Sequence, residues 1–289
     1  MSAAHGPPGM TVLPLGVGGA FTARYFHSSM LVSCGGATIL IDAPSPLHRI
    51  LAEAGHSAGM DLSIDRIDAI ILTHLHGDHC NGLEEIGLWR RHVSGTPPPR
   101  LFALPEVAAV LWEHRLVAAM GRPGSTDRDA PRLADFFDLH PVEPGHSVEV
   151  TPGGPTLEVR RTCHFVPCCG FRLTGGGASL GYSGDTVFDQ GLIDFLASCD
   201  LVVHESGPGE GHTPIANLLA QPAELRRRMR LIHYPDDFDA STSPIALLRQ
   251  GIPEVVVKGS VGVPPARGAE EASGNPGSWR GAGGTPTLR

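Results

Sequence analysis

At 289 residues, with 41% hydrophobic and 18% charged residues, the chain is long enough to bury a large core. Its formal net charge of −8 argues against a broad nucleic-acid-binding surface. No stretch is long and apolar enough to cross a bilayer, residues 1–8 lack the basic-then-apolar pattern of a secretory signal, and six scattered cysteines (Cys34, Cys80, Cys163, Cys168, Cys169 and Cys199) fit reduced thiols better than a disulfide framework, so a cytoplasmic protein is expected.

In chain order, apolar and β-branched runs predict strands at 11–15, 29–32 and 37–42. The glycine-rich stretch 16–19 lacks a full dinucleotide fingerprint and reads as a turn. A short helix is expected at 46–54 and a buried strand at 67–72. Helical spacing follows at 83–92, a strand at 101–104, and a helix over 106–120 with Pro105 at its start. Residues 121–131 read as a mobile loop. Alternation between Gly/Pro turns over 139–184 predicts several strands. Beyond these come a helix at 192–197, a strand at 200–203, mostly helix over 215–230 with a break near Pro222, and a last strand at 253–257. The expected organisation is one domain over 1–263 and a disordered Gly/Pro-rich tail at 264–289. The basic run Arg226, Arg227, Arg228 and Arg230 is expected to be a solvated helix face.

The chemistry concentrates just after the 67–72 strand. His74, His76, Asp78 and His79 fall within six residues. A lone histidine is usually a packed core residue, but that explanation does not extend to four such groups at the end of an apolar strand, where desolvation without a partner is costly. Imidazoles and carboxylate together suit Zn²⁺, Mn²⁺ or Fe²⁺, and such a metal activates water near neutral pH. A hydrolase is therefore expected. Four later segments each end an apolar run with polar groups: Thr162-Cys163-His164, Ser183-Gly184-Asp185-Thr186, Val203-His204-Glu205 and Ile232-His233-Tyr234. Cys80 and Cys163 adjoin candidate ligands and are expected to pack against the site.

The motif His74-x-His76-x-Asp78-His79, followed in order by His164, Asp185 and His233, resembles the metallo-β-lactamase superfamily over roughly residues 11–260. The resemblance implies an α/β (α+β) fold, a four-layer αββα sandwich with metals at one sheet edge. It implies two divalent ions, Zn²⁺ first and Mn²⁺ or Fe²⁺ as alternatives. One would be held by His74, His76 and His164, the other by Asp78, His79 and His233, with Asp185 and a hydroxide between them. Within the superfamily the chain is most similar to the ribonuclease Z branch of phosphodiesterases. That match rests on the His-Gly-Asp-His-x-Asn-Gly-Leu stretch from His76 to Leu83, on Asp185 followed by His204-Glu205, and on Gly211-His212-Thr213.

By this resemblance Asp78, His212 and Glu205 act in catalysis. His212 contacts the phosphate and protonates the leaving oxygen, while Glu205 orients His212. His164 and Asp185 are only 21 positions apart, too few for the tRNA-gripping arm of ribonuclease Z. A small phosphodiester such as a cyclic nucleotide is therefore favoured over nucleic acid, with loops 95–99 and 121–131 shaping the pocket. The competing readings are a tRNA 3′-processing endonuclease, a lactone or thioester hydrolase, a di-iron redox enzyme and a non-catalytic module. No membrane partner is expected, and a homodimer is compatible with the sequence.

Overall fold

The computed structural model describes residues 9–121, 130–241 and 243–259. In chain order the elements are β1 (Met10–Gly16), β2 (Ser29–Cys34), β3 (Ala37–Ile41), α1 (Leu47–Ala58), β4 (Ala69–Ile71), α2 (Gly77–Cys80), α3 (Gly82–Trp89), β5 (Arg100–Ala103), α4 (Pro105–Leu111) and α5 (Val117–Met120). They continue with β6 (Asp138–Pro141), β7 (Ser147–Glu149), β8 (Thr156–Arg161), β9 (Cys169–Gly175), β10 (Ala178–Tyr182) and α6 (Gln190–Leu196). The chain closes with β11 (Leu201–Glu205), α7 (Ile215–Leu219), α8 (Ala223–Arg228), β12 (Met229–Ile232), β13 (Ala246–Leu247) and β14 (Glu254–Val256).

The strands form two seven-stranded sheets, β14-β1-β2-β3-β4-β5-β6 and β13-β12-β11-β10-β9-β8-β7. One tight two-glycine hairpin pairs neighbouring strands in each sheet. Gly35 and Gly36 (φ 58° and 84°) join β2 to β3, and Gly176 and Gly177 (φ 60° and 81°) join β9 to β10. A two-residue turn with both φ positive matches strand twist, and glycine adopts it without strain. Ile39, Leu40 and Ile41 are fully buried, as expected for a strand covered on both faces. Helix α1 presents Leu47, Ile50, Leu51 and Ala54 to the first sheet, and α6 presents Leu192, Ile193 and Leu196 to the second. That spacing is one helical face. Buried residues of both sheets merge in one core, giving the αββα layering expected from the sequence.

Several boundaries moved. Met229 and Arg230 belong to β12, where they pair in parallel with Val202 and Val203, and do not continue the helix. Sheet pairing overrides their helix propensity. Helix α1 runs on to Ala58, and the helix expected at 106–120 is interrupted by a wide π turn at Trp112–Leu116. Strand β13 gave no recognisable signal in its two residues. The basic run is only in part a solvated face: Arg227 is exposed on α8 and pairs with exposed Glu224, whereas its neighbours are tied into the structure. Arg228 caps the carbonyls of Ala197 and Cys199, and Arg230 is 2% exposed and pairs with Glu254 at 2.8 Å. Residues 122–129 of the expected mobile loop and the whole 264–289 tail lie outside the described residues.

Strands β10, β11 and β12 are mutually parallel, and β8 runs the same way because it is antiparallel to β9, itself antiparallel to β10. Their C-terminal ends therefore share one edge. Cys169 at the start of β9 donates its N–H to the Thr73 carbonyl (3.2 Å), which brings the end of β4 to that same edge.

Candidate metal centre

The histidine-rich loop leaves β4 at the sheet edge and turns into α2, which carries Asp78 and His79. His164 follows β8, Asp185 follows β10, Glu205 ends β11 and His233 follows β12. Side-chain bonds tie these ends together. Thr162 donates to the Asp185 carbonyl (2.8 Å), and Ser183 Oγ accepts the Glu205 N–H (2.9 Å).

Asp185 is the hub. Its Oδ2 lies 3.5 Å from His233 Nε2, 3.6 Å from His79 Nε2, 3.8 Å from His164 Nε2 and 3.9 Å from His74 Nε2. Asp78 Oδ2 lies 3.2 Å from His79 Nε2 and 3.5 Å from His233 Nε2. His76 Nδ1 is 3.1 Å from the Nε2 atoms of both His74 and His164. One ring nitrogen carries at most one proton, so a direct hydrogen bond cannot account for both contacts. These separations bracket the roughly 3.3 Å edge of a tetrahedron with metal–nitrogen bonds of about 2.0–2.1 Å.

Buried polar atoms with no partner point the same way. His79 Nε2, both ring nitrogens of His233 and Asp185 Oδ1 make no hydrogen bond. Unsatisfied buried groups are rare, and two of these, His79 Nε2 and His233 Nε2, lie 3.6 and 3.5 Å from Asp185 Oδ2. Two sets of donor atoms fall within 4.8 Å of one another: His74, His76, His164 and Asp185, and Asp78, His79 and His233. The combination Asp185, His212 and His233 also satisfies that span. The donor set fits divalent cations.

The ligand rings are aimed by their far nitrogens. His79 Nδ1 lies 2.8 Å from Asp42 Oδ2, His164 Nδ1 lies 3.0 Å from the Gly211 carbonyl, and His74 Nδ1 lies 2.9 Å from Thr73 Oγ1. The Thr73 hydroxyl proton goes to Asp42 (2.9 and 3.0 Å), so Thr73 Oγ1 accepts from His74. Nδ1–H donation leaves each Nε2 lone pair facing the cluster. Asp42 thus organises two rings at once. It is fully buried, and it shares with His233 a positive φ (56° and 57°), found in no other non-glycine among the described residues. Such strain is often held at functional sites. Burial holds His74 well below the usual imidazole value and also lowers His76 and His164, so these three are neutral donors. Burial would lower His79 too, but Asp185 and Asp42 raise it well above its ordinary value.

Beside the cluster, His212 Nδ1 lies 3.3 Å from Glu205 Oε1, and the His212 ring stacks on His233 with centroids 4.9 Å apart. Glu205 is fully buried, and its Oε1 accepts the N–H groups of Thr186 (3.1 Å) and Thr213 (3.0 Å). One carboxylate thereby links the Asp185 loop to the His212 loop. Pairing with Glu205 raises the His212 pKa while burial opposes it.

All nine residues singled out in the sequence meet at this edge. Asp42 and Thr73, which aim the rings, were missed, as was Gly19. A Cβ on Gly19 would stand 3.1 Å from His233 Cε1, so the stretch read as a plain turn is a close backbone approach to the site. The strand-then-Asp pattern at 37–42 was the available signal for Asp42. Cys80 is buried against Arg115, but Cys163 is exposed and does not pack against the site. Loop 95–99 leads into Arg100, which pairs with Ala69 at the start of β4, whereas His74 follows the end of β4. That loop sits at the opposite end of the sheet and cannot shape the pocket.

The family model described as anti-Pycsar protein Apyc1 matches residues 10–254. The chain belongs to the Apyc1 family. The anti-Pycsar protein Apyc1 of Paenibacillus sp. (strain J14) is 32% identical over 249 residues, covering 82% of this chain and 95% of that protein. A cAMP/cGMP-dependent 3′,5′-cAMP/cGMP phosphodiesterase B of Dictyostelium discoideum is 25% identical, covering 80% of this chain and 21% of that one. Solved structures that resemble this Apyc1-family chain have the metallo-β-lactamase fold. Among them, the short form of human tRNase Z superposes with a TM-score of 0.63 at 19% identity, covering 85% of this chain and 99% of that one. At that identity the likeness speaks for the fold alone. Among the described residues, no helix is long and apolar enough to cross a membrane.

Proposed function

We propose that this chain is a binuclear metal-dependent phosphodiesterase acting on a cyclic nucleotide. His74, His76 and His164 hold one divalent ion, Asp78, His79 and His233 hold the other, and Asp185 lies between them. Zn²⁺ is the expected metal, with Mn²⁺ and Fe²⁺ as alternatives. Two such ions, when bound, lower the pKa of water and neutralise charge on phosphoryl oxygens.

The observation that carries the phosphodiester reading is the Glu205–His212 pair beside the cluster. A cationic imidazole complements the anionic charge of a phosphodiester, a charge that a lactone lacks. Glu205 Oε1 faces His212 Nδ1 at 3.3 Å, which leaves Nε2 to carry a proton. The pairing with Glu205 raises the His212 pKa and so favours the protonated ring. Its transfer to the departing ribose oxygen is general acid catalysis. The Apyc1 relatives and the Dictyostelium phosphodiesterase support the cyclic-nucleotide choice. The residues between His164 and Asp185 are largely used up by the β9–β10 hairpin, so no arm for gripping tRNA fits there. The catalytic unit proposed is 1–263, acting in the cytoplasm without a nucleic-acid or membrane partner.

The test is metal content with turnover of a 3′,5′-cyclic nucleotide, an aryl phosphodiester, a lactone and precursor tRNA by the purified protein. Cyclic-nucleotide turnover with about two metal equivalents is the expected result. Brisk lactone cleavage without phosphodiester turnover would overturn the reading.

A further inference from the structure

Eight large hydrophobic residues are exposed among the described residues, and two of them are aromatic. Both border the histidine cluster. Phe165, 70% exposed, follows the candidate ligand His164, and the two ring centroids are 5.4 Å apart. Its ring lies against the Gly211 backbone, where a Cβ would stand 2.3 Å from Phe165 Cε2. Gly211 in turn precedes His212 and accepts from His164 Nδ1. Phe165 is thus seated on the backbone that positions both a ligand and the proton donor, with most of its ring in solvent.

Phe21 is fully exposed at the corner of a turn closed by Thr22 N–H to the Gly19 carbonyl (3.1 Å). Gly19 abuts His233, and the turn is fastened to the segment just after His233. Asp236 accepts from Thr22 Oγ1 and from the Ala23 N–H (2.7 Å), and its carbonyl accepts from Arg24 (3.0 Å).

We propose that Phe165 is the stacking platform for the substrate's nucleobase, with Phe21 bounding the opposite side of the opening. This rests on the cyclic-nucleotide reading above. The ribose spaces the base one sugar away from the phosphate, and Phe165 is displaced from the Asp185-centred cluster by one ring, that of His164. A π-face holds a base by stacking, a contact that needs no hydrogen-bonding partner, and the structure places exposed rings, not polar side chains, at these two positions.

The experiment compares a 3′,5′-cyclic nucleotide with an abasic ribose 3′,5′-cyclic phosphate on the metal-loaded protein. Phe165→Leu keeps apolar contact with Gly211 but removes the ring. It should raise KM for the cyclic nucleotide by about 5- to 100-fold and narrow the wild-type preference for the nucleotide over the abasic analogue by a similar factor. Phe165→Trp should restore that preference. Phe21→Ala should shift it in the same direction, by less. An equal loss on both substrates, or an unchanged KM in Phe165→Leu at normal metal content, overturns the proposal. If Phe21→Ala changes the mass measured by light scattering and leaves KM alone, Phe21 belongs to a contact between two copies and its part of the proposal falls. Absence of cyclic-nucleotide turnover in the wild type would instead defeat the function on which the proposal rests.

Discussion

Replacing Asp42 with Asn should separate the two metal sites. Asp42 accepts from His79 Nδ1 on Oδ2 (2.8 Å) and from the Thr73 N–H on Oδ1 (2.8 Å). Asn is nearly the same shape, and its single oxygen can keep both Thr73 bonds. Its amide nitrogen then faces His79 Nδ1, donor against donor. His79 escapes the clash by moving its proton to Nε2, the atom that faces Asp185 and Asp78. A protonated Nε2 has no lone pair for a metal. His74 is spared, because its acceptor is Thr73 Oγ1, whose own proton still finds an oxygen on residue 42. Loss of such a supporting carboxylate costs about 10- to 100-fold in metal affinity, or roughly 1.4–2.7 kcal/mol. Titrating metal-free protein with Zn²⁺ against a chromophoric chelator should therefore show one ion bound near wild-type strength and one weakened by that factor. Equal weakening of both ions, or of neither, would refute the assignment of Asp42 to His79 and the division of ligands into two sets.

Three further outcomes are expected. His212→Ala should slow cleavage of a cyclic nucleotide by about 10²- to 10⁴-fold with little loss on an aryl ester whose leaving group needs no proton, while metal content by elemental analysis stays normal; metal loss would mean His212 is a ligand. Gly19→Ala should push His233 by a few tenths of an ångström, at a cost of about 1–3 kcal/mol if the ring cannot give, and weaken the ion held by Asp78, His79 and His233, as read by the same titration. His204 is buried, with Nδ1 bonded to the Glu205 carbonyl at 2.7 Å, and burial lowers its pKa to about 4. The unfolded chain binds that proton first, so this group costs nothing above about pH 6.5 and removes stability as pH falls from there to 4, up to about 3 kcal/mol. Melting curves of metal-free protein should accordingly fall less steeply between pH 7 and 5 in His204→Gln than in wild type, and parallel curves would contradict a neutral buried His204.

What the sequence determined by itself was the chemistry. Ligand identity is a property of side chains, and His74, His76, Asp78 and His79 sit on one loop, so their convergence needs no tertiary knowledge. His164, Asp185, Glu205 and His233 were legible because each ends or follows an apolar run, and His212 through the resemblance to the phosphodiesterase branch. The two-sheet layering was legible for the same reason, through strand content and family pattern. The supporting contacts were not, because they join residues remote along the chain: Asp42 to His79, Gly211 to His164, Thr22 to Asp236. Nothing in the local pattern of those residues records a partner that only folding supplies. The loop at 95–99 failed for a related reason. Its composition says "surface turn", but the end of a parallel strand at which a turn lies is decided by sheet pairing, here Arg100 beside Ala69. Likewise nothing in the sequence singles out Phe21 and Phe165. Their exposure beside the histidine cluster exists only in three dimensions, because burial is set by how the two sheets close and not by the residue's own hydrophobicity.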